Sequence, residues 1–180
     1  MTHATKWLAL AFAAASFTVG AQGAKKYELP DKTTLELNVP AGWKDELREA
    51  QSGMPPTIAF SPGEGARFEV YVTPISRPGP NVPMPTAEQL RDAVQRAADN
   101  VKPQAAETFL PVEELTGAKG PGYYFSATDK EPKPGEFKYL TQGMLLAGDV
   151  VLSFSILTND GQEKVKDDAM AMLRGAAQTK

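Results

Sequence analysis

Residues 34–39 read Thr-Leu-Glu-Leu-Asn-Val, a strict alternation that puts Leu35, Leu37 and Val39 on one face and predicts a half-buried strand. Pro40-Ala41-Gly42-Trp43 ends it, since proline cannot donate to a ladder and glycine permits a turn. Further strands are expected over 57–60 and 67–73, the second with Phe68, Val70 and Val72 on one side. Residues 74–85 carry five prolines in twelve positions and read as an extended surface connection. The period then changes to that of a helix: Leu90, Val94, Ala97 and Val101 recur behind Thr86, with Gln89 at the capping-box position, until Pro103 stops the pattern.

The second half returns to strands. Residues 107–115 give a weak one, interrupted by Pro111 and expected at an edge. Tyr123, Phe125 and Ala127 alternate with Tyr124, Ser126 and Thr128, and residues 137–147 and 150–158 are joined by Gly148-Asp149, which suits a two-residue hairpin turn. A closing helix is expected behind Asp160 as cap, with Glu163 completing a capping box and Val165, Ala169, Met172, Leu173 and Ala176 as its apolar stripe. Strands, helix, strands, helix with short turns predict an α+β fold: a mostly antiparallel sheet covered by two main helices, with no internal repeat and no linker.

The first residues change the picture of where the chain works. Lys6, an apolar run over 7–17 and small residues through Ala24, with no acid before Glu28, follow the export pattern. The run is well short of the ~20 residues that span a bilayer, so the expectation is a signal peptide over 1–21, cut after Ala21 or alternatively after Gly23, and a single domain over 22–180. With no Cys in the sequence there is no lipid attachment point and no disulfide. The mature chain is thus expected to be periplasmic or secreted, without stable membrane insertion. Loss of Lys6 lowers 19 basic residues to 18 against 22 acidic, a net of −4, which argues against nucleic acid as partner.

Pro-Ala-Gly-Trp at 40–43 after the first alternating strand, the sheet segment at 67–73, the helix at 86–101, the hairpins from 122 to 158 and the closing helix together resemble the PsbP-like superfamily. The resemblance spans nearly the whole mature chain as an order of elements with one turn motif. It implies an α-β-α sandwich around an antiparallel sheet of about six strands, used as a binding or assembly module and not as an enzyme. No functional residue carries over from it.

The residues themselves point the same way. Once His3 leaves with the leader, neither His nor Cys remains, which removes Ser-His-Asp and Cys-His catalysis and the usual zinc sites. There is no Gly-x-Ser-x-Gly, no Ser-x-x-Lys and no phosphate loop. Asp129, Glu131 and Glu136 lack calcium-loop spacing and read as a solvated turn; Asp160, Glu163, Asp167 and Asp168 read as helix-start charges. Glu113 and Glu114 point to opposite faces if extended. No cofactor, metal or catalytic residue is therefore expected. The candidate partner contacts are Trp43, Tyr71, Tyr124 and Tyr139, with the proline-rich 74–85 segment beside them. Trp43 has two readings, a core or lid aromatic and a contact hot spot. The expected function is a non-catalytic module recognising a protein or envelope component; the alternatives are a small-ligand carrier and a carboxylate-based hydrolase.

Overall fold

The computed structural model describes residues 23–49, 55–77 and 81–179; the expected leader over 1–21 lies outside them. In chain order the elements are β1 (Gly23–Glu28), β2 (Thr34–Val39), β3 (Trp43–Arg48), β4 (Thr57–Pro62), β5 (Glu69–Ser76), α1 (Ala87–Val101), β6 (Glu113–Gly117), β7 (Gly120–Thr128), β8 (Tyr139–Leu146), β9 (Val150–Thr158), α2 (Glu163–Arg174) and β10 (Ala177–Thr179). They form two open antiparallel sheets, a small one ordered β1-β2-β10 and a large one ordered β3-β4-β5-β9-β8-β7-β6. The fold class is α+β, with two helices as expected.

Strand periodicity explains the layers. Val150, Leu152, Phe154 and Ile156 of β9 are buried on one face, with Ile58 and Phe60 of β4, Val70 and Val72 of β5 and Leu145 of β8. Against them pack Leu35 and Leu37 of the small sheet and Ala169, Met172 and Leu173 of α2, which makes the main core. The opposite face carries a second core under α1, where Val94 and Ala98 meet Phe125 and Ala127 of β7, with Leu140 and Met144 of β8 beside them. Both faces of β7 are thus covered, which is why Tyr123 and Tyr124 are both half-buried.

The capping box of α1 forms: Gln89 N–H donates to Thr86 Oγ1 (3.2 Å) and Thr86 N–H to Gln89 Oε1 (2.9 Å). The one expected on α2 does not. Its N-cap is Gln162, which provides no side-chain cap, because Asp160 is drawn away by Lys138 Nζ (2.9 Å) and the Tyr139 hydroxyl (2.6 Å). Gln162 instead donates to the carbonyls of Ala66 (3.2 Å) and Arg67 (3.0 Å), tying the start of α2 to the β4–β5 connection. The strand expected over 107–115 begins only at Glu113, and Leu110 is instead buried beside α1. The segment expected as loop from Pro74 starts inside β5, where Pro74 pairs with Leu152. The pairing of β4 stops at Val72, so that side of Pro74 is unpaired and a missing N–H is tolerated.

Glu107 fastens the segment between α1 and β6 to the end of β7. Its carboxylate accepts from the Thr128 N–H (2.9 Å) and hydroxyl (2.7 Å). Burial pushes its carboxyl up, but the Thr128 donors outweigh that and hold it below the ordinary 4.5. A group depressed in the folded state contributes stability above its unfolded pKa and loses it as pH falls through the folded value. Glu107→Gln should therefore lower the melting temperature at neutral pH, by a gap that narrows as pH falls below 4.5. Melts across pH check this; a gap constant with pH would mean that the carboxylate charge does no anchoring.

Candidate functional site

Register decides what α1 leaves open. Met144 of β8, which packs under α1, pairs with Ser153 of β9; Ser153 pairs with Thr73 of β5, and Ser155 with Tyr71. These residues all lie on the α1 face, yet α1 covers only its β7–β8 half. Among the described residues, no helix packs over the centre of the β3–β4–β5–β9 half, and Tyr71, Thr73, Ser153 and Ser155 remain half-exposed there.

A ladder of alternating charge and ring crosses that open half. The Arg67 guanidinium lies 4.4 Å from the Phe137 ring centroid and 2.8 Å from a Glu69 carboxylate oxygen. The other Glu69 oxygen accepts from the Tyr71 hydroxyl. Arg48 of β3 lies over the Tyr71 ring at 5.1 Å and reaches Glu46 at 3.5 Å. Burial pushes the Glu69 carboxyl up, but Tyr71 and Arg67 outweigh it and hold the group below its usual range; burial and Glu69 raise the Tyr71 phenol. Exposed ion pairs of this kind contribute at most about 1 kcal/mol each to folding, so the ladder does little for stability. It does hold two guanidinium groups and a phenol in fixed positions on an accessible surface.

At its other end the open half runs into an apolar groove of about 230 Å³ between the end of β5, the proline-rich connection and the start of α1. Pro83, Met84 and Pro85 form one wall and Leu90 the other, with Val151 and Met144 beneath. Ile75 is 39% exposed at its mouth and Val82 is 42% exposed next to Pro83, which extends the apolar surface of the groove.

The four expected contact residues do not converge. Tyr71 is on the open half. Trp43, the first residue of β3, lies on the opposite face, half-buried against Phe68 (ring centroids 4.7 Å apart) and Phe60 (6.3 Å). One side of its ring lines a shallow hollow with Lys44, Gly63 and Glu64. Tyr124 packs on the main core, its hydroxyl donating to Glu113 (2.9 Å). Tyr139 is the first residue of β8, donating to Asp160 with Lys138 over its ring at 5.2 Å. Arg48 and Arg67 were not among the expected contacts, and Ile75 and Met84 were covered only as part of the proline-rich 74–85 segment. Arg48 lies in a strand too charged to show a hydrophobic period, and Ile75 follows a proline that reads as a strand end.

The other carboxylates shape turns. Asp129 accepts from the Glu131 N–H (2.9 Å) and Glu136 from the Lys133 N–H (2.9 Å), and Asp168 pairs with Lys164 along α2 (2.8 Å). No helix among the described residues is long and apolar enough to cross a membrane.

No family model and no curated protein matches the sequence. Solved structures are nevertheless similar. The solution structure of cyanobacterial PsbP (CyanoP) from Synechocystis sp. PCC 6803 matches with a TM-score of 0.54 at 13% identity, over 89% of this chain and 94% of that one. The crystal structure of LpqN, involved in cell envelope biogenesis of Mycobacterium tuberculosis, matches with a TM-score of 0.50 at 13% identity, over 88% and 91%. At this identity the likeness concerns the fold, and the fold is PsbP-like, as the order of elements implied.

Proposed function

We propose that this is a non-catalytic module of the periplasm, exported by its leader, that holds a protein partner on the open half of the α1 face. The observation that carries the reading is the half-covered sheet: a preorganised Arg67–Glu69–Tyr71–Arg48 ladder beside an apolar groove with exposed Ile75. Apolar surface flanked by arginine and tyrosine suits a protein interface, where these residues are enriched at hot spots. The absence of His and Cys after residue 3 supports a non-catalytic role. LpqN, of similar fold, is described as involved in cell envelope biogenesis, which supports an envelope setting for this chain.

The test is to immobilise the protein and the double variant Arg48→Ala/Tyr71→Ala on separate supports and pass the native envelope extract over both. The expected result is a discrete protein retained by the wild type and weakened about tenfold or more by the variant, with melts within about 1 kcal/mol of each other. Equal retention by both would overturn the reading, as would recovery of lipid or glycan in place of protein.

A further inference from the structure

Where the ends of β7, β8 and β9 meet the first turn of α2, on the side away from the open half of the α1 face, there is a half-open cleft of about 290 Å³. Lys166 reaches into it from α2, and its Nζ donates to Ser126 Oγ of β7 (3.1 Å). Ser126 Oγ lies 2.9 Å from Thr141 Oγ1 of β8. An ammonium has donors only, so Ser126 accepts from Lys166, while either hydroxyl of the Ser126–Thr141 pair can donate to the other. In either direction one hydroxyl proton of the pair and two Lys166 N–H groups have no acceptor among the described residues.

Lys166 makes no ion pair among the described residues, although two carboxylates line the same cleft. Glu107 is occupied by the Thr128 donors, and Glu163 is exposed at the rim, where water screens it. Thr158 adds an independent sign. It is only 6% exposed, lines the cleft, and its hydroxyl has no hydrogen-bond partner among the described residues. The hydroxyl opens to the cleft and is not sealed in the core, so it is free to donate to a ligand held there. The first turn of α2, bordered by Glu163 and Lys166, brings the positive end of the helix dipole to the same spot.

We propose that this cleft binds the oxyanion of a small organic molecule, a carboxylate or a phosphate monoester, with Lys166 as counter-ion and the Ser126–Thr141 pair and Thr158 as hydrogen-bond donors. The size fits a small ligand, since the cleft is at the lower end of the roughly 300–1,000 Å³ typical of such sites. The site is separate from the proposed protein-binding face, and either can fail without the other.

Titrating the purified, 15N-labelled protein with butyrate, butyl phosphate and, as an uncharged control, n-butanol tests this by the amide shifts of Ser126, Thr141, Thr158 and Lys166. The expected result is saturable shifts confined to this cleft, with a Kd of about 1 mM or tighter for at least one anion. Which anion responds identifies the source, and butanol gives none. Lys166→Gln is expected to weaken binding about tenfold or more, Lys166→Arg to stay within a few fold of wild type, and Thr158→Val to weaken it several-fold with the melt preserved. No saturation by either anion, an equal response to butanol, or unchanged affinity in Lys166→Gln would overturn the proposal. If Lys166→Gln does not fold, Thr158→Val decides alone: undiminished affinity there overturns it.

Discussion

Gly143→Ala should destabilise the protein by about 3 kcal/mol, although it adds a single methyl group. Gly143 is in β8, paired on one side with Tyr124 of β7 and on the other with Phe154 of β9. A Cβ there would lie 2.2 Å from the Tyr123 carbonyl oxygen, 2.6 Å from Phe154 Cζ and 2.7 Å from Tyr124 Cβ. Each neighbour is fixed: the carbonyl belongs to the β7–β8 ladder, and the Phe154 ring is 1% exposed at the centre of the main core. Interiors are close-packed, so the methyl group must displace the ladder or the ring. For a chain of this size the loss corresponds to a fall of roughly 6–12 °C in melting temperature. Gly23→Ala is the control, because nothing lies within 4 Å of a Cβ at that position. A Gly143→Ala melt within about 2 °C of wild type would show that β7 and β8 are not held as tightly as the contacts require.

The same local packing explains what could be read in advance. β2 and β9 fall where the alternation puts them, because one face of each is buried in the main core and the other is not. α1 begins at Thr86 because its cap is supplied by Gln89, three residues on, and needs nothing from the rest of the chain. β1 and β3 were not legible. Gly-Ala-Lys-Lys-Tyr-Glu and Trp-Lys-Asp-Glu-Leu-Arg are mostly exposed edge strands, held by pairing with β2 and β4 and by Asp45, which accepts from Tyr27 (2.9 Å) and pairs with Lys25. A strand held by its neighbours' backbone needs no hydrophobic period, and charge on an edge guards against further pairing. β10 pairs with β2 from the far end of the chain, a contact no local pattern encodes. Asp160 failed as a cap for the same reason, since Lys138 and Tyr139 compete for it from another strand.

The candidate site was legible only in part. Tyr71 could be placed opposite the apolar face of its strand from the alternation of Phe68, Val70 and Val72. That this face is open follows from where α1 lies, a matter of which strands sit next to each other. The sheet order β5-β9-β8 brings residues of distant segments side by side and then places α1 beyond them. Lys166 and Ser126 are likewise forty positions apart and meet only because α2 returns across the sheet.

Trp43→Ala separates the two roles the sequence allows for that residue. The ring is half-buried and packs tilted on Phe68 and Phe60, so truncation opens a void at the margin of the main core. Full burial of a Trp would put the cost at about 3–5 kcal/mol; with one side of the ring on the shallow hollow, about 2–3 kcal/mol is expected. The backbone turn should persist, because Gly42 supplies the positive φ of 81° that lets Trp43 N–H reach the Pro40 carbonyl (3.2 Å). Capture of the partner should stay within about twofold of wild type, since Trp43 points to the main core and Tyr71 to the opposite face of the sheet. Urea melts and the capture assay on the same variant decide the matter. A capture loss of about tenfold with an unchanged melt would make Trp43 the contact residue, and would move the binding face from the open half under Tyr71 to the hollow beside Lys44 and Glu64.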